Sequence, residues 1–329
     1  MRRPNMVHSI KQRTVFGHLR PQPLGGHLHY IYGSRQATHG GYHGAGRNAP
    51  HSSRSRKAPG SMDRYVVIGN PVAHSRSPEI HARFARDCGE SMAYGRLLVE
   101  PGDFARAAGE FFAGGGRGAN VTLPFKEEAF AFAGERTERA ERAGAVNCLA
   151  RRGSAILGDN TDGAGLVRDL TRNLGLALEG RRILVLGAGG AARGVIAPLL
   201  ALSPARLVIA NRTRERALDL AARFRDAGKV EGAGLDAMGE GYDLVLNATS
   251  SSTRGEHLVL PAGLFAPGAN AYDMAYGPAA RAFLDLATAA GARASDGLGM
   301  LVEQAAESFF LWRGKWPETA RVIAALRQA

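Results

Sequence analysis

From residue 65 the chain alternates short apolar runs with longer stretches whose apolar positions return every three or four residues. The runs YVVIG (65–69), MAYGRLLVE (92–100) and GANVTLP (118–124) end in Gly, Pro or a polar loop, which predicts buried strands. Between them the helical period predicts helices over 77–89, 101–115, 126–133 and 136–145. Ser77 reads as the N-cap of the first, with Pro78 at the first helical position. Residues 146–160 read as a hairpin, and 161–175 as a helix that leaves this series.

A second series opens at RRILVLGAGGAARGVIAPLLAL (181–202), a strand followed by a helix. Strands follow over 206–213, 242–250 and 270–276, with helices over 213–226 and near 280–290. A long amphipathic helix over 298–316 and a last one near 317–327 close the chain. Strands alternating with helices imply parallel sheets covered on both faces. The expected fold is α/β: two α/β domains, the second a Rossmann-type doubly wound parallel sheet, with a cleft between them.

Charge sets the first 61 residues apart. Of 42 Lys plus Arg, ten lie in residues 1–61, which contain no Asp or Glu and seven of the ten His. Residues 62–329 carry 32 cations against 30 anions, so this near-neutral body gives no footprint for nucleic acid. The leading segment, rich in Gly, Pro and Ser and without a sustained period, is expected to be a disordered basic leader. Three readings of it stand. Met62 is the true start, since the packed pattern begins abruptly at MDRYVVIGNP; or the segment is an organelle transit peptide; or it is a basic tail that binds nucleic acid or metal.

Cys88 and Cys148 show neither C-x-x-C nor metal spacing, so no metal and no disulfide framework are expected, and the setting is read as cytoplasmic. No apolar run approaches ~18 residues, so no membrane span is expected. A monomer and a homodimer both fit the sequence.

The strongest local signal is ILVLGAGGAARG, where Gly187, Gly189 and Ala192 form G-x-G-x-x-A between a strand and a helix. Gly187 permits the tight turn, Gly189 the approach of a pyrophosphate, and Ala192 close helix–strand packing. The helix N-terminus supplies amide donors to phosphates. The next strand ends in Asn211, Arg212 and Thr213, with Arg216 one turn later, where an NAD site carries Asp or Glu. Guanidinium groups in place of a carboxylate suit a 2′-phosphate, which predicts NADP.

A second cluster lies in the first series: Ser75 and Ser77, Thr122 and Lys126, Asn147, and Asp159, Asn160, Thr161 and Asp162 in GDNTDG. Loops at strand C-termini are where open α/β sheets bind ligands, and small hydroxyls and amides suit a polyhydroxylated substrate. Lys occurs at only five positions, and unlike Arg it can be tuned to exchange a proton, so Lys126 stands out. Taken singly, each residue also has a bland reading as a cap, a turn or a solvated side chain.

The blocks NPVAHSRSP, ANVTLPFKEEA, GAVN, GDNTDG, GAGGAARG, NRT, NATS, YDMAY and DGLGMLVEQAA follow one another as in shikimate dehydrogenases, a family the chain resembles from about Met62 to its end. The resemblance implies NADP-dependent interconversion of 3-dehydroshikimate and shikimate, on the route to chorismate and the aromatic amino acids. It implies that Ser75, Ser77, Thr122, Asn147, Tyr276 and Gln304 hold the substrate and that Lys126 and Asp162 are the catalytic pair. It assigns Gly187, Ala188, Gly189, Gly190, Ala191, Asn211, Arg212, Thr213 and Arg216 to NADP, with Thr249, Met274, Gly297 and Met300 near the ends of the cofactor. It also implies a substrate domain of residues 62–162 plus 298–329 around a cofactor domain of 163–297.

Three positions depart from the family pattern: Cys148 stands where Thr is common, Ser252 where Gly is frequent, and GPAARAFL lacks the usual Thr-Pro. None removes an implied catalytic or substrate contact. The alternatives are a relative acting on quinate or aminoshikimate, or, in a different class, a non-catalytic sensor of a shikimate-like ligand. Intact Lys126 and Asp162 weigh against the sensor.

Overall fold

The apolar runs of the first series stack side by side in one sheet. In this computed structural model, which describes residues 62–249 and 259–328, β1 (Asp63–Gly69) lies between β2 (Met92–Leu98) and β3 (Gly116–Val121), all parallel. The sheet order is β2-β1-β3-β5-β6-β4, with β4 at Glu135–Arg136, β5 at Cys148–Arg152 and β6 at Ala155–Asp159. β3 pairs antiparallel with β5, and β5 with β6, so this sheet is mixed. The cause is local: Gly153 sits at φ +60°, and a two-residue turn can only send the chain back antiparallel.

Four helices accompany this sheet: α1 (Ser77–Cys88), α2 (Phe104–Ala113), α3 (Lys126–Phe132) and α4 (Glu138–Ala143). Ser77 is not the N-cap of α1 that its sequence position suggests. Arg76 holds that position without a side-chain cap, and Ser77 is the first helical residue. The reason is Ser75, whose hydroxyl oxygen accepts the Ser77 N–H at 3.3 Å and does the capping from two residues back.

α5 (Asp162–Arg168) carries the chain to the second sheet and ends in a π-turn, Asp169–Asn173. That sheet runs β12-β11-β10-β7-β8-β9, all parallel, from β7 (Arg182–Leu186), β8 (Arg206–Asn211), β9 (Val230–Gly234), β10 (Tyr242–Asn247), β11 (Phe265–Asp273) and β12 (Arg293–Asp296). In chain order from one edge this is 6-5-4-1-2-3, the doubly wound order whose crevice lies beside the first strand. Helices α6 (Gly190–Leu200), α7 (Arg214–Arg223) and α8 (Arg281–Ala289) are interleaved with its strands. β9 and β12 escaped the sequence pattern because VEGAG and RASD are edge segments with few apolar residues.

The last two helices, α9 (Leu298–Arg313) and α10 (Thr319–Arg327), return to the first sheet. Val302, Ala305 and Phe309 of α9 join Ile80 and Phe84 of α1 and Val322 and Leu326 of α10 in one buried cluster. The Trp312 indole N–H donates to the Leu149 carbonyl at 3.0 Å, and Arg313 pairs with Asp63 at 2.7 Å. The α5–α6 and α5–α9 crossings are close because glycine allows it. A Cβ on Gly163 would sit 2.4 Å from the Gly194 carbonyl oxygen, and one on Gly165 2.6 Å from the Gln304 nitrogen.

Candidate functional site

The loop after β3 is pulled tight by its own backbone. Thr122 N–H donates to the Ile68 carbonyl (2.9 Å) and Phe125 N–H to that of Thr122 (3.1 Å). A Cβ on Gly69 would come within 2.4 Å of Thr122 Cγ2, so Thr122 lies directly against the end of β1. The turn delivers Lys126 as the first residue of α3, with its Nζ 2.6 Å from Oδ2 of Asp162, the first residue of α5. The two side chains are only 13% and 7% exposed, so bulk water screens this pair weakly.

Asn147 organises the other side of Asp162. Its amide nitrogen donates to Asp162 Oδ1 (2.8 Å) and lies within reach of Thr161 Oγ1 (2.9 Å) and Gln304 Oε1 (3.3 Å). Its carbonyl oxygen accepts the Thr161 N–H at 2.7 Å. Gln304, from α9, is steadied by its own Nε2 donating to the Leu301 carbonyl at 2.7 Å. Lys126, Asp162, Asn147 and Gln304 thus converge from α3, α5, the loop before β5, and α9, across separations no local pattern could link.

Ser75 and Ser77 form the opposite end. The Ser75 hydroxyl donates to Ser77 Oγ at 3.2 Å, and the Arg96 guanidinium donates to the Ser75 carbonyl at 2.6 Å. Burial raises the Tyr276 phenol pKa, while Arg76 and Arg96 oppose this, which puts Tyr276 beside the same two cations. Two residues that sequence reasoning missed join the ends. The Tyr94 hydroxyl donates to Asn120 Oδ1 (2.8 Å), and the Asn120 amide donates to Ser308 Oγ (2.9 Å) and the Asn147 carbonyl (3.3 Å). Burial pushes the Tyr94 phenol well above its ordinary value, with Cys148 adding to the shift and the Ser77 hydroxyl opposing it. The signal was present in Asn120, an amide between the apolar Ala119 and Val121 of β3, which must find partners once buried.

The glycine loop faces this cluster. Gly187 sits at φ +104°, and a Cβ there would meet the Ala248 carbonyl at 3.1 Å and Thr249 Cγ2 at 3.2 Å. Ala188 and Ala192 are buried in the second sheet's core, while a Cβ on Gly189 would meet nothing within 4 Å. A Cβ on Gly190 would lie 3.7 Å from Lys126 Cβ, so the lysine stem runs past the first turn of α6. Gly190 and Ala191 open that helix, and no acidic residue stands in its first turn.

Open space over Gly189 beside a helix N-terminus fits a pyrophosphate. Asn211, whose amide donates to the Thr213 carbonyl at 2.9 Å, ends β8, and Arg212, Thr213 and Arg216 follow, all exposed. No carboxylate ends that strand to repel a 2′-phosphate. Thr249 donates its hydroxyl to Asn247 Oδ1 (2.7 Å), the Met274 N–H donates to the Asn247 carbonyl (2.9 Å), and a Cβ on Gly297 would overlap the Met274 carbonyl. Met274 packs against the buried cluster that contains Met300 and Ala188. These donors and spaces fit a phosphorylated dinucleotide.

The structure therefore brings together Lys126, Asp162, Asn147 and Gln304, sets Ser75, Ser77 and Tyr276 at one end, and places the glycine loop beside Lys126. Ser252 falls in the segment 250–258 and the basic leader in 1–61, both outside the described residues. Among the described residues no group of three or more His, Cys, Asp or Glu could hold a metal ion, and no helix is long and apolar enough to cross a membrane. A cavity of about 550 Å³ lies elsewhere, lined by Asp169, Asn173, Ser295, Asp296 and Arg327. Its charges answer one another: Asp169 accepts from Tyr272 and Asn173, and Asp296 stands 3.7 Å from Arg327.

Comparison with known proteins gives three family matches: the shikimate dehydrogenase substrate binding domain over residues 67–149, shikimate / quinate 5-dehydrogenase over 169–259, and the shikimate 5′-dehydrogenase C-terminal domain over 297–327. The chain is 57% identical over 267 residues to a shikimate dehydrogenase (NADP(+)) of Dechloromonas aromatica (strain RCB), covering 80% of this chain and 97% of that protein. Its fold is similar to the crystal structure of an Ael1 enzyme from Pseudomonas putida (TM-score 0.75, 44% identity, 80% of this chain and 98% of that one). It is similar also to shikimate 5-dehydrogenase from Thermus thermophilus in complex with NADP(H) and shikimate (TM-score 0.72, 34% identity, 81% and 99%).

Proposed function

The chain belongs to the shikimate dehydrogenase family, and from that premise we propose how its residues interconvert 3-dehydroshikimate and shikimate. It is an NADP-dependent oxidoreductase acting on a CH–OH group. The observation that carries the residue assignment is the 2.6 Å contact of Lys126 with Asp162 next to the first turn of α6. NADPH, when bound, supplies the hydride that reduces the ring ketone.

As the ketone is reduced, negative charge grows on its oxygen. The Lys126 ammonium, held at the start of α3, stabilises that charge and delivers the proton. Asp162 fixes the ammonium through Oδ2, and its Oδ1 is itself fixed by Asn147. Ser75 and Ser77, with Tyr276 beside them, take the substrate carboxylate, while Thr122, Asn147 and Gln304 take ring hydroxyls. The helix N-terminus at Gly189–Gly190 takes the pyrophosphate, and Arg212 and Arg216 take the 2′-phosphate. Thr249, Met274, Gly297 and Met300 line the approach of the nicotinamide and adenosine ends. This division gives a substrate domain of 62–162 plus 298–329 and a cofactor domain of 163–297; the cytoplasmic setting is read from the two unpaired cysteines.

The test is shikimate oxidation with NADP and with NAD, and quinate oxidation with NADP, on the full chain and on Lys126→Ala. We expect the highest kcat/KM for shikimate with NADP. Lys126→Ala should lose on the order of 10²- to 10⁴-fold in kcat with NADPH affinity little changed. A higher kcat/KM with quinate or with NAD would overturn the substrate or cofactor assignment, and a near-normal kcat in the variant would remove Lys126 from proton transfer.

A further inference from the structure

Three residues before Asp162 stands a second carboxylate that the proton step does not use. Asp159 ends β6 with its side chain 1% exposed, and it is gripped from α4. Arg139 Nε donates to Asp159 Oδ1 (2.7 Å) and Nη2 to Oδ2 (2.5 Å), a two-pronged contact that fixes both position and plane of the carboxylate. Asp159 also accepts from Thr137 Oγ1 (2.6 Å) and from the Asn160 N–H (2.8 Å). The third guanidinium nitrogen of Arg139 donates to Glu307 on α9 (3.2 Å), and Glu307 in turn takes Arg168 from the end of α5 (2.8 Å).

The grip leads to Asp162 along short paths. The Asp159 carbonyl accepts the Asn147 N–H (3.0 Å), and the Asn147 amide nitrogen donates to Asp162 Oδ1. Asn160, one residue on, accepts the Asp162 N–H (3.2 Å) while donating to the Ala145 carbonyl (3.0 Å). Besides Lys126, Asp162 is thus oriented by Asn160, which belongs to the turn that Arg139 holds, and by Asn147, which is tied to that turn through the Asp159 carbonyl. Burial works against the Arg139 charge, yet hydrogen bonds and charge from Asp159, then Glu307, outweigh it and raise its pKa. Burial likewise works against the Asp159 charge, and Arg139 outweighs it. Stability alone is a weak reason for such a pair, because apolar residues of similar volume often do as well.

We propose that Arg139 is a positioning residue for the proton step: by gripping Asp159 it holds the 159–162 turn so that Asp162 meets Lys126, and through Glu307 it ties that turn to the helix carrying Gln304. This rests on the reading of Lys126 and Asp162 as the catalytic pair. Displacing a reacting group by 1 Å costs about 10²-fold in rate, so a loosened turn should be felt mainly in kcat.

The experiment compares the full chain with Arg139→Lys, Asp162→Asn and the double variant, assayed with shikimate and NADP well below each melting temperature. NADPH titration by fluorescence counts the folded sites. Arg139→Lys keeps the charge and the fold but loses the two-pronged contact. It should lose on the order of 10- to 100-fold in kcat, with the KM for NADP within about twofold of the parent. In the Asp162→Asn background the same change should cost no more than about twofold further, because both act through one group. Normal kcat in Arg139→Lys beside a damaged Asp162→Asn overturns this inference alone, as do losses that multiply in the double variant. Normal kcat in Asp162→Asn removes the catalytic-pair reading and this inference with it.

Discussion

His81 lies fully buried on α1, stacked on Tyr94 with ring centroids 4.3 Å apart, and neither of its ring nitrogens finds a hydrogen-bond partner among the described residues. Burial pushes its pKa down to about 3, against an ordinary value near 6.5, with the Asn120 side chain opposing. The folded state therefore keeps this ring neutral where the unfolded chain takes up a proton. Its stabilising effect is present above about pH 6.5 and is lost as pH falls toward 3. Between pH 7 and pH 5 this one group should remove on the order of 2 kcal/mol. Urea melts of His81→Leu at both pH values should show a loss on acidification smaller than the parent's by that amount. An equal loss in both proteins would mean that His81 is protonated in the fold. The case also marks what single residues disclose in sequence. Lys126 was visible as one of five lysines, but that rarity applies equally to Lys229 and Lys315, and its partner Asp162 lies 36 positions away. Tyr94 and Asn120 went unnoticed because their worth lies in contacts made only when β2, β3 and α9 come together.

At the scale of elements, glycine decides how near two helices or a helix and a ligand can come, and two positions separate the cases. A Cβ on Gly165 would fall 2.6 Å from the backbone nitrogen and 2.9 Å from Cα of Gln304, so Gly165→Ala must push α9 away from α5. We expect overpacking to cost about 1–3 kcal/mol, with a raised KM for shikimate as Gln304 is displaced. Gly189→Ala adds a methyl where nothing lies within 4 Å, so the melting temperature should hold while NADPH binding weakens. Thermal melts with and without NADPH check both, and a drop in the apo melting temperature of Gly189→Ala would show that the space is not a ligand's. The strand–helix alternation was legible because buried strands and amphipathic helices carry opposite periods. The edges β9 and β12 were not, since edge strands need little apolar surface, and neither was the π-turn at Asp169–Asn173, whose one wider turn is too short to show in an apolar pattern. Ser77 is the first helical residue and not the cap because the chain enters the helix one residue earlier than its position suggests, with the Ser75 hydroxyl taking the Ser77 N–H.

For the whole molecule, charge and chemistry occupy different parts of the chain. Every residue assigned to substrate, cofactor or proton transfer lies between Ser75 and Gln304, and Gln304 joins the first sheet only because α9 crosses back over α5 and α1. Periodicity alone did not announce that return; the family resemblance of DGLGMLVEQAA implied it, and its physical cause is the apolar face that α9 shares with Ile80 and Phe84. Residues 1–61, by contrast, hold ten cations and no anion, while 62–329 are close to neutral with 32 cations and 30 anions. Attraction to a polyanion scales with the cations that displace its counterions, and it weakens with salt. A protein beginning at Met62 should keep kcat and both KM values within about twofold of the full chain, since no residue of 1–61 is assigned to substrate, cofactor or proton transfer. The same protein should elute from a heparin column at far lower salt than the full chain. Lost activity would place part of the site in residues 1–61, and unchanged heparin retention would place the polyanion-binding charge on the body.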